Sequence, residues 1–187
     1  MSLQVNQRQL SYTTLGNGRP LLLLPDGIEQ RQTSLRPWLD GLSQYAQLII
    51  YDPCAQDNVV QLAEVDSLRD HLGYERLSLF GFGKGSLLAL AYALCYPERV
   101  MGMILCSLVV EDGETAPYWH QIETPTLILA GRHDTVCPHE QTAEPMHAIL
   151  PNSQLVVFDK SGHCPFVDET ERFTAVVGEW LSQSDKS

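Results

Sequence analysis

The stretch Gly81-Phe82-Gly83-Lys84-Gly85 follows the apolar run Leu77 to Phe80 and precedes an apolar segment that stops before Pro97. A strand, a tight glycine-bearing turn and a buried helix make the context of the G-x-S-x-G nucleophile elbow. The flanking glycines of such an elbow let strand and helix pack closely, and its central residue takes a strained backbone. Here the central residue is Gly83. Glycine accepts positive φ without the ~1–3 kcal/mol of strain that a serine bears, but it has no hydroxyl with which to attack a carbonyl. The same glycines do not make a phosphate loop, because their spacing fits neither G-x-G-x-x-G nor G-x-x-x-x-G-K-[ST] and the turn follows a mid-chain strand. His133, Cys137, His139, His163 and Cys164 carry donor atoms for a metal. They match no usual ligand spacing, so the sequence predicts no metal and no cofactor.

Such a turn works only on a rigid frame, and short apolar runs supply one. Leu21 to Leu24, Leu48 to Tyr51, Leu77 to Phe80, Met103 to Cys106, Leu127 to Ala130 and Leu155 to Phe158 read as strands buried on both faces, as in a parallel sheet. Helical patterns lie between them. Asn58 to Leu72 places Leu62, Val65, Leu68 and Leu72 on one face before Gly73, and Phe173, Val176, Val177, Trp180 and Leu181 form a second stripe. Lys84 to Tyr96 is apolar almost all round, as expected of a helix packed deep against a sheet. Leu3 to Val5 and Leu10 to Leu15 read as an antiparallel hairpin at the sheet edge. Pro145 predicts a break in a helix over His139 to Leu150 and a helix that starts afresh there, and Leu108 to Pro125 reads as a loop. The alternation predicts an α/β fold, a mostly parallel doubly wound sheet flanked by helices.

The chain of 187 residues suits one domain with a real core. Its formal net charge of −11 argues against nucleic acid and anionic membranes, both of which call for clustered Lys and Arg. The N-terminal MSLQVNQRQL lacks the pattern of a signal peptide, and no apolar run approaches the ~20 residues that span a bilayer, so a cytoplasmic location is expected. The five cysteines, Cys54, Cys95, Cys106, Cys137 and Cys164, are scattered and imply no disulfide framework.

LSLFGFGKGSLLALAYALCYPERV resembles the elbow, helix and next strand of lidded α/β-hydrolases of the proline iminopeptidase type, in which a serine-containing elbow is the expected form. PTLILAGRHDTVCPHEQTAEPMHAILPNSQLVVFDKSGHCPFVDE is similar to the C-terminal signature of that family, where G-R-x-D supplies the triad acid and S-G-H the base. The resemblance maps these onto Asp134 and His163, in the chain order of the fold. Four departures accompany the glycine. The family's H-G-x, whose last residue offers an oxyanion-hole N–H, is Asp26-Gly27-Ile28. The histidine before the serine is Phe82. The D-x-R-G-x-G-x-S turn is reduced to Asp52-Pro53-Cys54-Ala55-Gln56-Asp57. The lid, normally inserted between the strand ending near Ser107 and the one starting near Thr126, is reduced to loop 108–125 of a single domain, 1–187.

Without a serine no acyl-enzyme forms, and its removal from triad enzymes leaves only roughly 10³–10⁴-fold acceleration. The resemblance therefore implies a His163 and Asp134 dyad acting as acid and base on a small molecule, with oxyanion N–H groups from Lys84 and Ile28. The alternative is a catalytically inactive homologue used for binding or scaffolding. Asp26, if turned inward, would disfavour an anion. Cys54, Cys106, Cys137, Ser86 and Ser107 are conceivable replacement nucleophiles, although none occupies an elbow and Ser86 should point along its helix. Tyr118 and Trp119 either line a pocket or pack on the surface. A missing lid leaves an apolar cleft that a second subunit would cover, which predicts a homodimer.

Overall fold

The computed structural model describes residues 1–5, 8–24, 36–54, 57–109 and 116–183. Eight strands form one sheet: β1 (Ser2–Val5), β2 (Arg8–Leu15), β3 (Pro20–Leu24), β4 (Gln47–Asp52), β5 (Leu77–Phe82), β6 (Val100–Cys106), β7 (Thr126–Gly131) and β8 (Ser153–Phe158). Their spatial order is β1-β2-β4-β3-β5-β6-β7-β8. β1 and β2 form the expected antiparallel hairpin, β2 runs antiparallel to β4, and every pairing from β4 to β8 is parallel. The helices are α1 (Arg36–Leu42), α2 (Asn58–His71), α3 (Gly85–Cys95), α4 (Ala143–Ile149), α5 (Pro165–Asp168) and α6 (Thr170–Gln183).

Side chains alternate across a strand, so each parallel strand feeds two cores. Leu22, Leu24, Leu79, Met103, Leu105 and Ile128 join Val65, Leu68, Leu88 and Met146 on the α2, α3 and α4 side. Leu21, Leu23, Phe80, Ile104, Leu127 and Leu129 join Trp38, Phe166, Phe173 and Trp180 on the α1, α5 and α6 side. The sheet is therefore doubly wound, as the alternating pattern predicts. All six apolar runs are strands, and both helical stripes lie on α2 and α6.

Local chemistry sets the boundaries. Asp57 caps α2, its Oδ1 accepting from Val59 N at 2.9 Å and Val60 N at 3.1 Å, which satisfies two amides that have no helical partner. Two expectations are corrected. A helix does start afresh near Pro145, but no helical piece precedes it: residues 139–142 are turn and α4 begins at Ala143, which puts Pro145 in the first turn, where a missing N–H costs nothing. Within the presumed loop 108–125, Ala116–Gln121 forms a 3-10 helix, and Trp119 and Ile122 are buried in the core on the α3 side.

Candidate functional site

The turn between β5 and α3 has the geometry of an elbow. Gly83 sits at φ +53°, its N–H donates to Cys106 O at 3.1 Å, and its carbonyl accepts from Ser86 N at 3.1 Å. A Cβ on Gly81 would stand 2.6 Å from Gly85 O and from Ser86 Cα, so only glycine lets strand and helix approach this closely. Ser86 is buried and its Oγ donates to Gly81 O at 3.0 Å, which turns its hydroxyl back onto the strand. Lys84 caps α3 with its side chain exposed. Asp26, Gly27 and Ile28 lie outside the described residues, as do Ala55 and Gln56.

Asp134 follows β7 and His163 follows β8, and the parallel pairing of those strands brings the two loops side by side. His163 Nδ1 lies 2.9 Å from Asp134 Oδ2, with the Asp134 side chain fully buried and the imidazole one-quarter exposed. Val136 N and Cys137 N donate to Asp134 Oδ1 at 2.8 and 2.9 Å. A carboxylate that only accepts pairs with an Nδ1–H, the tautomer that leaves the lone pair of a neutral imidazole on Nε2. Phe82, which stands where the family has a histidine, packs its ring 5.1 Å from the His163 ring and 5.0 Å from that of Phe166.

Residues inside and beside the quoted motifs hold this pair together, through contacts that the sequence does not reveal. A Cβ on Gly131 would meet Gly162 O at 2.0 Å, so the acid and base loops touch backbone to backbone. His133 N donates to Ser161 O at 2.9 Å across the same junction. From the end of α5, Asp168 Oδ2 accepts from Gly162 N at 2.9 Å, while Glu169 Oε2, between α5 and α6, accepts from Lys160 N at 2.9 Å and Ser161 Oγ at 2.7 Å. The Ser161 hydroxyl bond outweighs desolvation and, with Lys160 N and Arg172, lowers the Glu169 pKa. Ser107, at the end of β6, adopts φ +46° and donates its Oγ to His163 O at 2.7 Å. Asp168 and Glu169 fall inside the quoted signature, which is the one signal that could have found them. Gly131 opens the quoted G-R-x-D, but its role as a close-approach glycine shows only in the contact of the loops, and no local pattern marks the left-handed backbone of Ser107.

The candidate replacement nucleophiles are otherwise engaged. Burial pushes the Cys106 thiol well above its ordinary pKa. Cys54 Sγ donates to Gln9 O at 3.2 Å. Ser107 is occupied with His163 O, and Cys137 is buried next to Asp134. Of the two aromatic residues before β7, Trp119 is core and Tyr118 is exposed. The fold divides the histidines and cysteines considered for metal binding. Cys137 and His163 come together with Asp134, each offering a ligand atom within 4.8 Å of the others. His139 is buried elsewhere, with carboxylate oxygens of Glu140 and Glu144 each 3.3 Å from a ring nitrogen.

The geometry is that of a known architecture. A thermophilic esterase from Thermogutta terrifontis, 20% identical, superposes with a TM-score of 0.84 over 98% of both chains. The chain is an α/β-hydrolase-fold protein. A meta-cleavage product hydrolase from Pseudomonas fluorescens IP01 shares this fold with a TM-score of 0.85 at 18% identity over 98% of both chains. The family model described as alpha/beta hydrolase fold matches residues 111–170, the part that holds both Asp134 and His163. Among curated sequences, a proline iminopeptidase from Clostridioides difficile strain 630 is 38% identical over 66 residues, 35% of this chain and 22% of the relative. One from Neisseria gonorrhoeae is 43% identical over 66 residues, 34% of this chain and 21% of the relative. The matched segment thus spans about a fifth of the length of these α/β-hydrolase relatives.

Proposed function

We propose that this α/β-hydrolase-fold protein carries out non-covalent acid and base chemistry on a small molecule, with His163 as the base and Asp134 as its orienting partner. The observation that carries this reading is the 2.9 Å contact between Nδ1 and Oδ2, with a fully buried carboxylate whose other oxygen takes two backbone N–H groups. That arrangement fixes the tautomer and stabilises the imidazolium formed when Nε2 takes a proton from water or from a substrate C–H or O–H. The backbone N–H of Lys84 would receive the developing anion, with the Ile28 N–H assigned to the same task by the family resemblance alone. No covalent intermediate is involved, since Gly83 brings no nucleophile and Ser86 and Ser107 spend their hydroxyls on backbone carbonyls.

The test is turnover of a panel of activated esters, lactones and enolisable carbonyl compounds by the wild-type chain, His163→Ala and Asp134→Asn. Slow wild-type turnover should fall roughly 10²–10⁴-fold in His163→Ala, the usual contribution of a positioned base. Equal rates in wild type and His163→Ala would overturn the reading.

Gly83 itself favours a second reading, a catalytically inactive homologue that binds or scaffolds. It predicts no turnover above background for the whole panel. On either reading, the short connection 108–125 leaves the strand-end cleft for a second copy to cover. Val136 and Val167, which flank the acid and base loops, are exposed at 68% and 50%, as such an apolar contact requires. Sedimentation should report a dimer, and a monomer at high concentration would refute that part.

A further inference from the structure

We propose that Asp134, Cys137 and His163 form a site for one divalent cation of the zinc class, whose occupation excludes the hydrogen bond between acid and base. The three residues offer a carboxylate oxygen, a thiol sulfur and an imidazole nitrogen, all within 4.8 Å of one another. Zinc holds O, N and S ligands at about 2.0–2.3 Å, so tetrahedral neighbours stand roughly 3.3–3.8 Å apart, and closure needs about an ångström of movement. Mixed sulfur and nitrogen donors select zinc or cobalt over magnesium or calcium, which take oxygen.

The surroundings fit a cation of this kind. Asp134 and Cys137 belong to one tight turn, in which Cys137 N donates to Asp134 Oδ1 at 2.9 Å, so two ligands are already held on one frame. His163 comes from the adjoining loop and is one-quarter exposed, which gives the ion a way in and leaves an open position for water or a ligand. On binding, Cys137 gives its thiol proton to solvent, and carboxylate plus thiolate neutralise the two positive charges. The cation takes the place of the proton shared by Nδ1 and Oδ2, which lie 2.9 Å apart, while the displaced ring proton is carried on Nε2. The ring then has no lone pair left to act as a base. This inference goes beyond the acid and base reading and does not require turnover.

The experiment is titration of the chelator-treated full chain with Zn²⁺, and with Co²⁺ as an optical probe. The expected result is one equivalent bound, with a near-ultraviolet sulfur-to-cobalt charge-transfer band. Cys137→Ala should abolish the band, and both Cys137→Ala and His163→Ala should weaken binding at least roughly 10–100-fold, a loss that even an outer partner of a metal site can cause. Cys95→Ala, which changes an exposed cysteine, should bind as wild type does. Should Cys137→Ala fail to fold, nuclear magnetic resonance of the wild-type chain gives the same answer: the His163 Nδ1–H signal disappears with one equivalent of Zn²⁺. No binding, a band that survives in Cys137→Ala, or an unchanged Nδ1–H signal would overturn the site. Because these readouts are optical and magnetic, a failure here is distinct from a failure of the dyad to turn over substrate.

Discussion

A serine introduced at Gly83 enters a backbone already at φ +53°, the left-handed conformation that an elbow nucleophile must bear. Gly83→Ser should therefore lower stability by about 1–3 kcal/mol, which a denaturant melt would measure. It should also bring a burst of acyl-enzyme with activated esters, and that burst should vanish in the double variant with His163→Ala. A stable Gly83→Ser variant with no burst would show that the dyad does not reach the elbow. Gly83, Asp134 and His163 are legible in the sequence because each lies in a short run whose neighbours reveal it: glycines around the first, G-R-x-D and S-G-H around the others. Gly131 and Glu169 lie inside the same quoted stretch, but what they and Ser107 touch is not legible there. Their roles come from contacts across the chain, such as Ser107 Oγ with His163 O, 56 residues apart.

Among the elements, α6 and its partners carry the heaviest packing on their side of the sheet. Phe173 is fully buried, and its ring lies between 5.7 and 6.1 Å from those of Trp38, Phe80, Phe158 and Phe166. Phe173→Ala should cost about 3–5 kcal/mol, read as a fall in the urea midpoint. A loss under 1 kcal/mol would mean that the cluster collapses to fill the gap. The strands are legible because a buried parallel sheet makes unbroken apolar runs, whereas Ala116–Gln121 has no period to reveal it. The position of Pro145 depends on where α4 begins, and composition does not fix such a start.

For the molecule as a whole, one contribution to acid stability comes from Asp66, which joins α2 to α3 and to the turn after α3. Its Oδ1 accepts from Arg99 Nη1 at 2.7 Å, Tyr92 OH at 3.0 Å and Arg69 Nε at 3.1 Å. Partial burial works against the charge, but the bonds from Arg99, Arg69 and Tyr92 outweigh it, so the folded pKa lies below the ordinary carboxylate value. The stabilisation is complete above the unfolded pKa and is lost as pH falls through the folded one. Denaturant melts across the acid range should show Asp66→Asn losing most stability near neutral pH and converging on wild type in acid. Parallel curves would refute the assignment. One peptide unit at the end of β6 has a comparable reach. Cys106 O holds the Gly83 N–H, and the next residue, Ser107, holds the carbonyl of His163. The elbow and the base loop thus share a single fastening, and amide hydrogen exchange should find them opening as one cooperative unit rather than as two independent loops.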